Sequence, residues 1–333
     1  LWPFDPPDLP DPPDLPGLPG PPGLLESAAE ADMHRQIVWS GVAVGAVMCT
    51  LSAAPAKLPT MPWGDPSFEG VWNYATMTPL ERPRDFADKA VLSEEEAAAY
   101  ERQTLDRQAV TNNTAGPDWW DAGTRRLVDR RTSLIVDPPN GRIPPLTADA
   151  QQRAAARAQA RPRNALPDGP EDLGLNVRCL QWAIAGPPLT PGVYNNNVQF
   201  VQTRDTIAIV SEMIHDARLV PMDGRPHGTM RRWMGDPRGH WDGQTLVVDT
   251  INLSEKNEFR GSAEHLHLVE RFTRVDSTTI DYRFTVDDPT TFTKPWTGAF
   301  PLKKIDEPMY EYACHEGNAR SVEGILKGAA VQR

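Results

Sequence analysis

The sequence predicts a mainly β fold, an antiparallel barrel or curled sandwich carrying a small α-helical insert. Three observations predict it. From residue 198 onward, short strand-like runs follow one another at regular spacing, with hairpin-turn residues between them. Within that train, Thr278 to Val286 alternates well. Ile280, Tyr282, Phe284 and Val286 share one face, and Thr279, Asp281, Arg283 and Thr285 the other, which is the pattern of a half-buried strand. Between residues 79 and 170 the texture changes to two capped helical stretches.

Taken in order, the chain opens with a Pro-rich extension over residues 1–32. Residues 1–22 hold ten of the 34 prolines, and proline removes a backbone donor, so this stretch is expected to be disordered or polyproline-like. Residues 33–56 read as a signal peptide. His34 and Arg35 form a basic start, Ile37 to Leu51 an apolar run, and Ala54-Pro55-Ala56 a small-residue cleavage site. The apolar run is short for a spanning helix, which needs about 20 residues. The expectation is export to the periplasm or beyond, no stable membrane insertion after cleavage, and a single β domain over residues 57–333.

Phe68 to Asn73 reads as the opening strand of that domain. Ser93 followed by Glu94, Glu95 and Glu96 is a helix start, with Ser as cap and acids in the first turn, and the helix is expected to run to about Arg107. Residues 133–136 form a short strand, closed by the turn Asp137-Pro138-Pro139-Asn140-Gly141. Residues 147–160 form a second helix, capped by Thr147 and rich in Ala, Gln and Arg. Neither helix has a wide apolar face, so both should decorate the β domain rather than form its core. Strands are then expected over 198–202, 206–214, 218–221, 239–241, 245–252, 267–275, 278–287, 292–304 and 309–314. Met222-Asp223-Gly224, Asp242-Gly243, Asp276-Ser277 and Asp287-Asp288-Pro289 mark turns between them.

Charge narrows the partners. The formal net charge is −11, yet residues 1–32 hold seven acids and no base, so the β domain is only mildly acidic. No basic stripe offers itself to phosphate, and nucleic acid is not an expected partner. Of the three cysteines, Cys49 falls in the signal peptide. Cys179 and Cys314 remain, and in an oxidising compartment two cysteines most simply pair; the alternative is two free buried thiols.

The residues Phe68-Glu69-Gly70-Val71-Trp72 resemble the Gly-x-Trp opening of lipocalin-like (calycin) barrels. Over residues of about 60–330, the phrases MDGRPH (222–227), WDGQTLVVDT (241–250), LHLVERFTRV (266–275), DDPTTFTKPWT (287–297) and YEYACHEGN (310–318) resemble a family of exported, uncharacterised bacterial proteins. The resemblance implies export and a barrel, and no particular reaction. It draws attention to His227, His267, Glu270, Lys294, Trp296 and His315.

Residues 206–316 carry six of the seven histidines, several beside carboxylates. One cluster holds Glu212, His215, Asp216, Arg218 and His227, a second His265, His267, Glu270 and Arg271, and a third Cys314 and His315. A neutral imidazole oriented by a carboxylate is a general base near pH 7. His227 or His267 is therefore the candidate acid/base, with Glu212 or Glu270 orienting it. Arg271 and Lys294 are candidates for holding an anionic group, Arg271 through a carboxylate such as Glu212 or Asp216. Because side chains alternate along a strand, Glu270 should face opposite to His267 and Arg271. His215, His227, His267 and His315 are candidate ligands for a divalent metal, although no HExxH or CxxC occurs. Trp241, Trp296 and Tyr310, with Lys294, are candidates for lining a small-molecule pocket in the barrel mouth. There is no GxSxG and no Gly-rich phosphate loop, so serine-hydrolase and nucleotide readings lack support. These residues together suggest a non-redox enzyme, a lyase, isomerase or hydrolase acting on an organic compound. The rival readings are a carrier of an apolar ligand and a metal-dependent enzyme.

Overall fold

Alternating apolar and polar residues in the second half of the chain need an antiparallel sheet with one dry face, and the computed structural model has that architecture. It describes residues 58–115, 126–160, 166–182, 184–192 and 194–332. The expected Pro-rich extension and the expected signal peptide, residues 1–56, lie outside these.

Ten strands make one sheet: β1 (Gly70–Asn73), β2 (Ile135–Asp137), β3 (Asn197–Gln202), β4 (Thr206–Ser211), β5 (Ala217–Pro221), β6 (Asp236–Asp242), β7 (Thr245–Ile251), β8 (His267–Arg274), β9 (Thr279–Asp287) and β10 (Trp296–Ile305). Nine of them run in the order β5-β4-β3-β1-β10-β9-β8-β7-β6, and every neighbouring pair is antiparallel. The sheet curls until β5 approaches β6, giving a nearly closed, lipocalin-like barrel. An odd number of antiparallel strands leaves the two end strands parallel to each other. The chain leaving β5 must therefore travel back along the barrel before β6 can start, and residues 222–235 form that strap. At the seam, a Cβ on Gly239 would meet Val220 Cγ1 at 2.8 Å and Met222 Sδ at 2.3 Å, so glycine lets β6 lie directly against β5.

Period-two burial fills the interior. Trp72, Val198, Phe200, Ile207, Ile209, Val220, Leu246, Val248, Leu268, Phe272, Ile280, Tyr282, Phe284, Trp296, Phe300 and Leu302 are all buried in one cluster. Aromatic rings pack edge-to-face across it, with Phe200–Phe272 centroids 5.3 Å apart and Phe284–Trp296 centroids 5.7 Å apart. Leu189, on a loop, and Phe68, stacked on Trp241 at 5.7 Å, are buried in the same cluster.

The helical insert is as expected in place and capping. Helix α1 (Glu94–Ala115) starts at a capping box, in which Glu96 N–H donates to Ser93 Oγ and Ser93 N–H to Glu96 Oε2. It runs a further two turns past Arg107. Helix α2 (Ala148–Ala160) starts where Ala150 N–H donates to Thr147 Oγ1. Between them β2 pairs antiparallel with β10 at Thr297 and Gly298, on the edge that β1 takes farther along.

The expected strand over 309–314 is not one. Those residues run irregularly into α3 (Cys314–Val331), and Cys314 is bonded to Cys179. The bridge seats a small second cluster of Cys179, Ala185, Met213, Ile214 and Cys314, with Trp182 and Tyr312 against it. Tyr312 alternates with Tyr310 as it would in a strand, but it packs against this cluster instead of a ladder. Among the described residues, no helix is long and apolar enough to cross a membrane.

Candidate functional site on the barrel wall

Alternation divides the sequence-predicted residues between the two faces of the barrel wall. Along β8, Leu268, Glu270, Phe272 and Arg274 are buried inside, while His267, Val269 and Arg271 lie on the outer side. On neighbouring β7, Leu246, Val248 and Thr250 face in and Asp249 faces out. The strap brings His227 down onto the same outer surface. His227 Nε2 lies 3.0 Å from Asp249 Oδ1, and His267 Nε2 lies 3.0 Å from Asp249 Oδ2. One carboxylate thus joins two imidazoles from elements 40 residues apart in sequence.

The strap holds its place through side chains of the wall. Gly228 N–H donates to Asp236 Oδ2 at 2.7 Å, Arg238 Nε–H to Pro226 O at 3.1 Å, and Asn252 Nδ2–H to Gly228 O at 2.9 Å. Asp236 is buried, which by itself would favour its neutral form. The Gly228 N–H and the Arg238 guanidinium outweigh this and hold its carboxyl below the ordinary range. Its Oδ2 stands 3.6 Å from His227 Nδ1, beyond hydrogen-bond reach. His227 is 22% exposed and His267 45% exposed, so His267 is the more open to an incoming molecule.

The orienting carboxylate is Asp249, where Glu212 or Glu270 was expected. Glu270 points into the barrel and is completely buried. There it binds Arg218 with both oxygens and accepts from Tyr282 Oη at 2.8 Å, while Leu189 N–H donates to Tyr282 Oη at 3.0 Å. Burial first, and the Glu270 charge second, push the Tyr282 hydroxyl well above its ordinary range, so it remains a donor. Burial opposes the Arg218 charge, but Glu270 overrides it and keeps the guanidinium protonated. This chain of bonds crosses the interior from β5 to β8 and β9 and is a structural tie. Glu212 is also buried, and accepts from Asn197 Nδ2 at 2.7 Å where β3 begins. Arg271 pairs with Asp242 at 2.6 Å on the outer face, not with Glu212 or Asp216.

The expected ligand-binding residues do not converge. Trp296 is fully buried among Phe259, Phe284 and Phe292. Trp241 packs on Phe68, Tyr310 is largely exposed, and Lys294 is exposed in the turn before β10. Trp296 and Leu189 belong to the buried core, and Trp241 packs against it. A cleft beside Gln181, Pro187 and Phe259 has space for about one water and for nothing larger. Of the candidate metal ligands, His227 and His267 come together. His215 lies in a single turn of helix after β4, and His315 in the first turn of α3; both are exposed. Among the described residues, no group of three or more His, Cys, Asp and Glu is disposed to hold a metal ion.

Asp249 was the residue that sequence reasoning missed. Its signal was present: it is the single acid in Leu246-Val247-Val248-Asp249-Thr250-Ile251, on the outward phase of an otherwise apolar strand. No protein-family model matches the chain, and no curated protein is significantly similar to it. Fold and geometry define its class: a lipocalin-like antiparallel barrel, tied by one disulfide, with a His–Asp–His group on its outer wall.

Proposed function

We propose that the protein is an exported, non-redox enzyme that uses histidine acid–base chemistry on a small organic compound, as a lyase, isomerase or hydrolase. The observation that carries the reading is the sharing of Asp249 between His227 and His267. A carboxylate hydrogen-bonded to one ring nitrogen fixes the tautomer and aims the other nitrogen, which is the arrangement that general acid–base catalysis needs. The site lies on the wall and not in the lumen. The lumen is filled by aromatic side chains, which speaks against an apolar carrier. Arg271 lies four residues on from His267 along β8, on the same face, and is engaged there by Asp242. Export is supported by the Cys179–Cys314 bridge, since such bonds persist in oxidising compartments.

The test is turnover of a panel of hydroxy acids, esters and enolisable ketones by the protein and by His267→Ala. The expected result is a rate that changes through neutral pH and falls roughly 10²–10⁴-fold in the variant, the usual worth of a general base. Turnover that His267→Ala leaves intact would contradict the proposal.

A further inference from the structure

Residues directly opposite one another on antiparallel strands share a face, and the ladder sets Arg271 of β8 opposite Arg283 of β9 on the outer wall. Like charges in that position repel and destabilise a sheet. Arg283 in turn lies opposite Ala299 of β10, and there the helical insert adds a third cation: Arg131 Nη2–H donates to Ala299 O at 2.8 Å. The backbone that delivers Arg131 is strained, because Asp129 and Arg130 before it both sit in the left-handed region, at φ 48° and 57°. Strain of this kind gathers at binding sites. Arg131 Nε is shielded from solvent without a hydrogen-bond partner. Burial loosens the hold of the Arg131 guanidinium on its proton, and the Arg283 charge loosens it further, against Asp129 and Asp281.

The carboxylates nearby take only part of this bonding capacity. An arginine has five N–H donors and no acceptor. Asp242 accepts one of them from Arg271 at 2.6 Å, and Asp281 one from Arg283 at 3.2 Å. Three guanidinium groups in a row thus keep donors to spare. What bridges such groups is an anion with several acceptor oxygens, a carboxylate or a phosphate. The row also lies on the face that carries His267. Along β8 the outward residues run His267, Val269, Arg271, so the first and last are about 13 Å apart along the strand, with an apolar side chain between them.

We propose that Arg131, Arg271 and Arg283 form an oxyanion site on the outer wall, and that it takes the carboxylate or phosphate end of an elongated substrate whose reacting end lies at His267 and whose apolar middle crosses Val269. The second half of this assignment rests on the acid–base reading above; the first half does not.

The first half is tested by calorimetric titration of inorganic phosphate into the full chain, at neutral pH and constant ionic strength. The expected result is saturable one-to-one binding that Arg283→Gln and Arg271→Gln each weaken roughly tenfold, the worth of one charged hydrogen bond. Both side chains are about half exposed, 54% and 43%, so these changes leave the core untouched. Arg225→Gln is the control: it removes an exposed arginine that is paired with Asp223 on the strap, and binding should not change. No saturable binding, or an equal loss in Arg225→Gln, would show that phosphate follows net charge only and would overturn the site. The second half is read from turnover of hydroxy and keto carboxylates of increasing chain length. Rates should favour members long enough to reach from His267 to Arg271, and Arg283→Gln should raise KM for these more than it lowers kcat. A preference for the shortest members, or a fall in kcat alone, would overturn the second half. Turnover of none would overturn the acid–base reading and the second half together, and leave the phosphate result standing.

Discussion

Asp216 shows how one side chain can make stability depend on pH. It follows Ile214 and His215, two non-glycine residues in the left-handed region, at φ 60° and 47°, so the turn into β5 is strained. Burial pushes the Asp216 carboxyl up from its ordinary 3.8 to about 6, only partly offset by His215, and its Oδ2 is shielded without a partner. The folded state therefore holds a proton that the unfolded chain releases at lower pH. A raised carboxyl contributes stability fully below the unfolded value, and that contribution is lost as pH rises through the folded value. Wild type should lose stability relative to Asp216→Asn between pH 3.8 and about 6, with a constant gap above. Urea midpoints at half-unit pH steps measure this; a gap that does not change across that window would show that Asp216 is not the cause. Residue identity made the cluster visible in the sequence, but the strain was not legible there, because Met213 and Ile214 are buried against residues distant in sequence, Cys179 and Cys314.

Strands β3, β4 and β8 were legible because their burial follows a period of two, and the same alternation sorted β8 correctly: Glu270 inside, His267 and Arg271 outside. The partners of those residues were not legible, since they are set by register and by the curl of the sheet. Asp249 lies diagonally from His267 only because β7 pairs with β8 as Asp249 opposite Val269. Glu270 meets Arg218 only because β5 comes round to face β8 across the interior. That buried pair gives an element-scale prediction. Glu270→Gln keeps the shape but leaves the Arg218 charge without its counterion, and removing one partner of a buried pair costs about 3–5 kcal/mol. Denaturant unfolding should show a loss of that order with the slope unchanged. A loss below about 1 kcal/mol, the worth of an exposed pair, would mean that water reaches the pair. The terminal segment misled because Tyr310 and Tyr312 alternate as a strand does, yet Cys314 is committed to Cys179 and the chain turns there into α3.

At the scale of the whole molecule, the barrel closes by side-chain contact and not by a hydrogen-bonded ladder. The nine-strand path makes β5 and β6 parallel, and the strap that this demands is the element that delivers His227. Seam and site are therefore linked. Gly239→Val places carbon where Val220 and Met222 already sit, and overpacking of this kind costs about 1–3 kcal/mol. The variant should unfold at lower denaturant and show faster proteolysis within residues 222–235. Unchanged stability would mean that the seam has slack. The barrel as a class could be read from strand count and turns, whereas its closure could not, because nothing in a one-dimensional pattern states which strands end the sheet.

The central claim is that Asp249 makes one working unit with His267. The most direct measurement is a double-mutant cycle on turnover, comparing Asp249→Asn, His267→Ala and the pair. Residues that act as a unit are strongly non-additive. The double variant should be no slower than His267→Ala alone. If instead the two losses multiply, Asp249 and His267 act independently and the shared-carboxylate site is not the catalytic one.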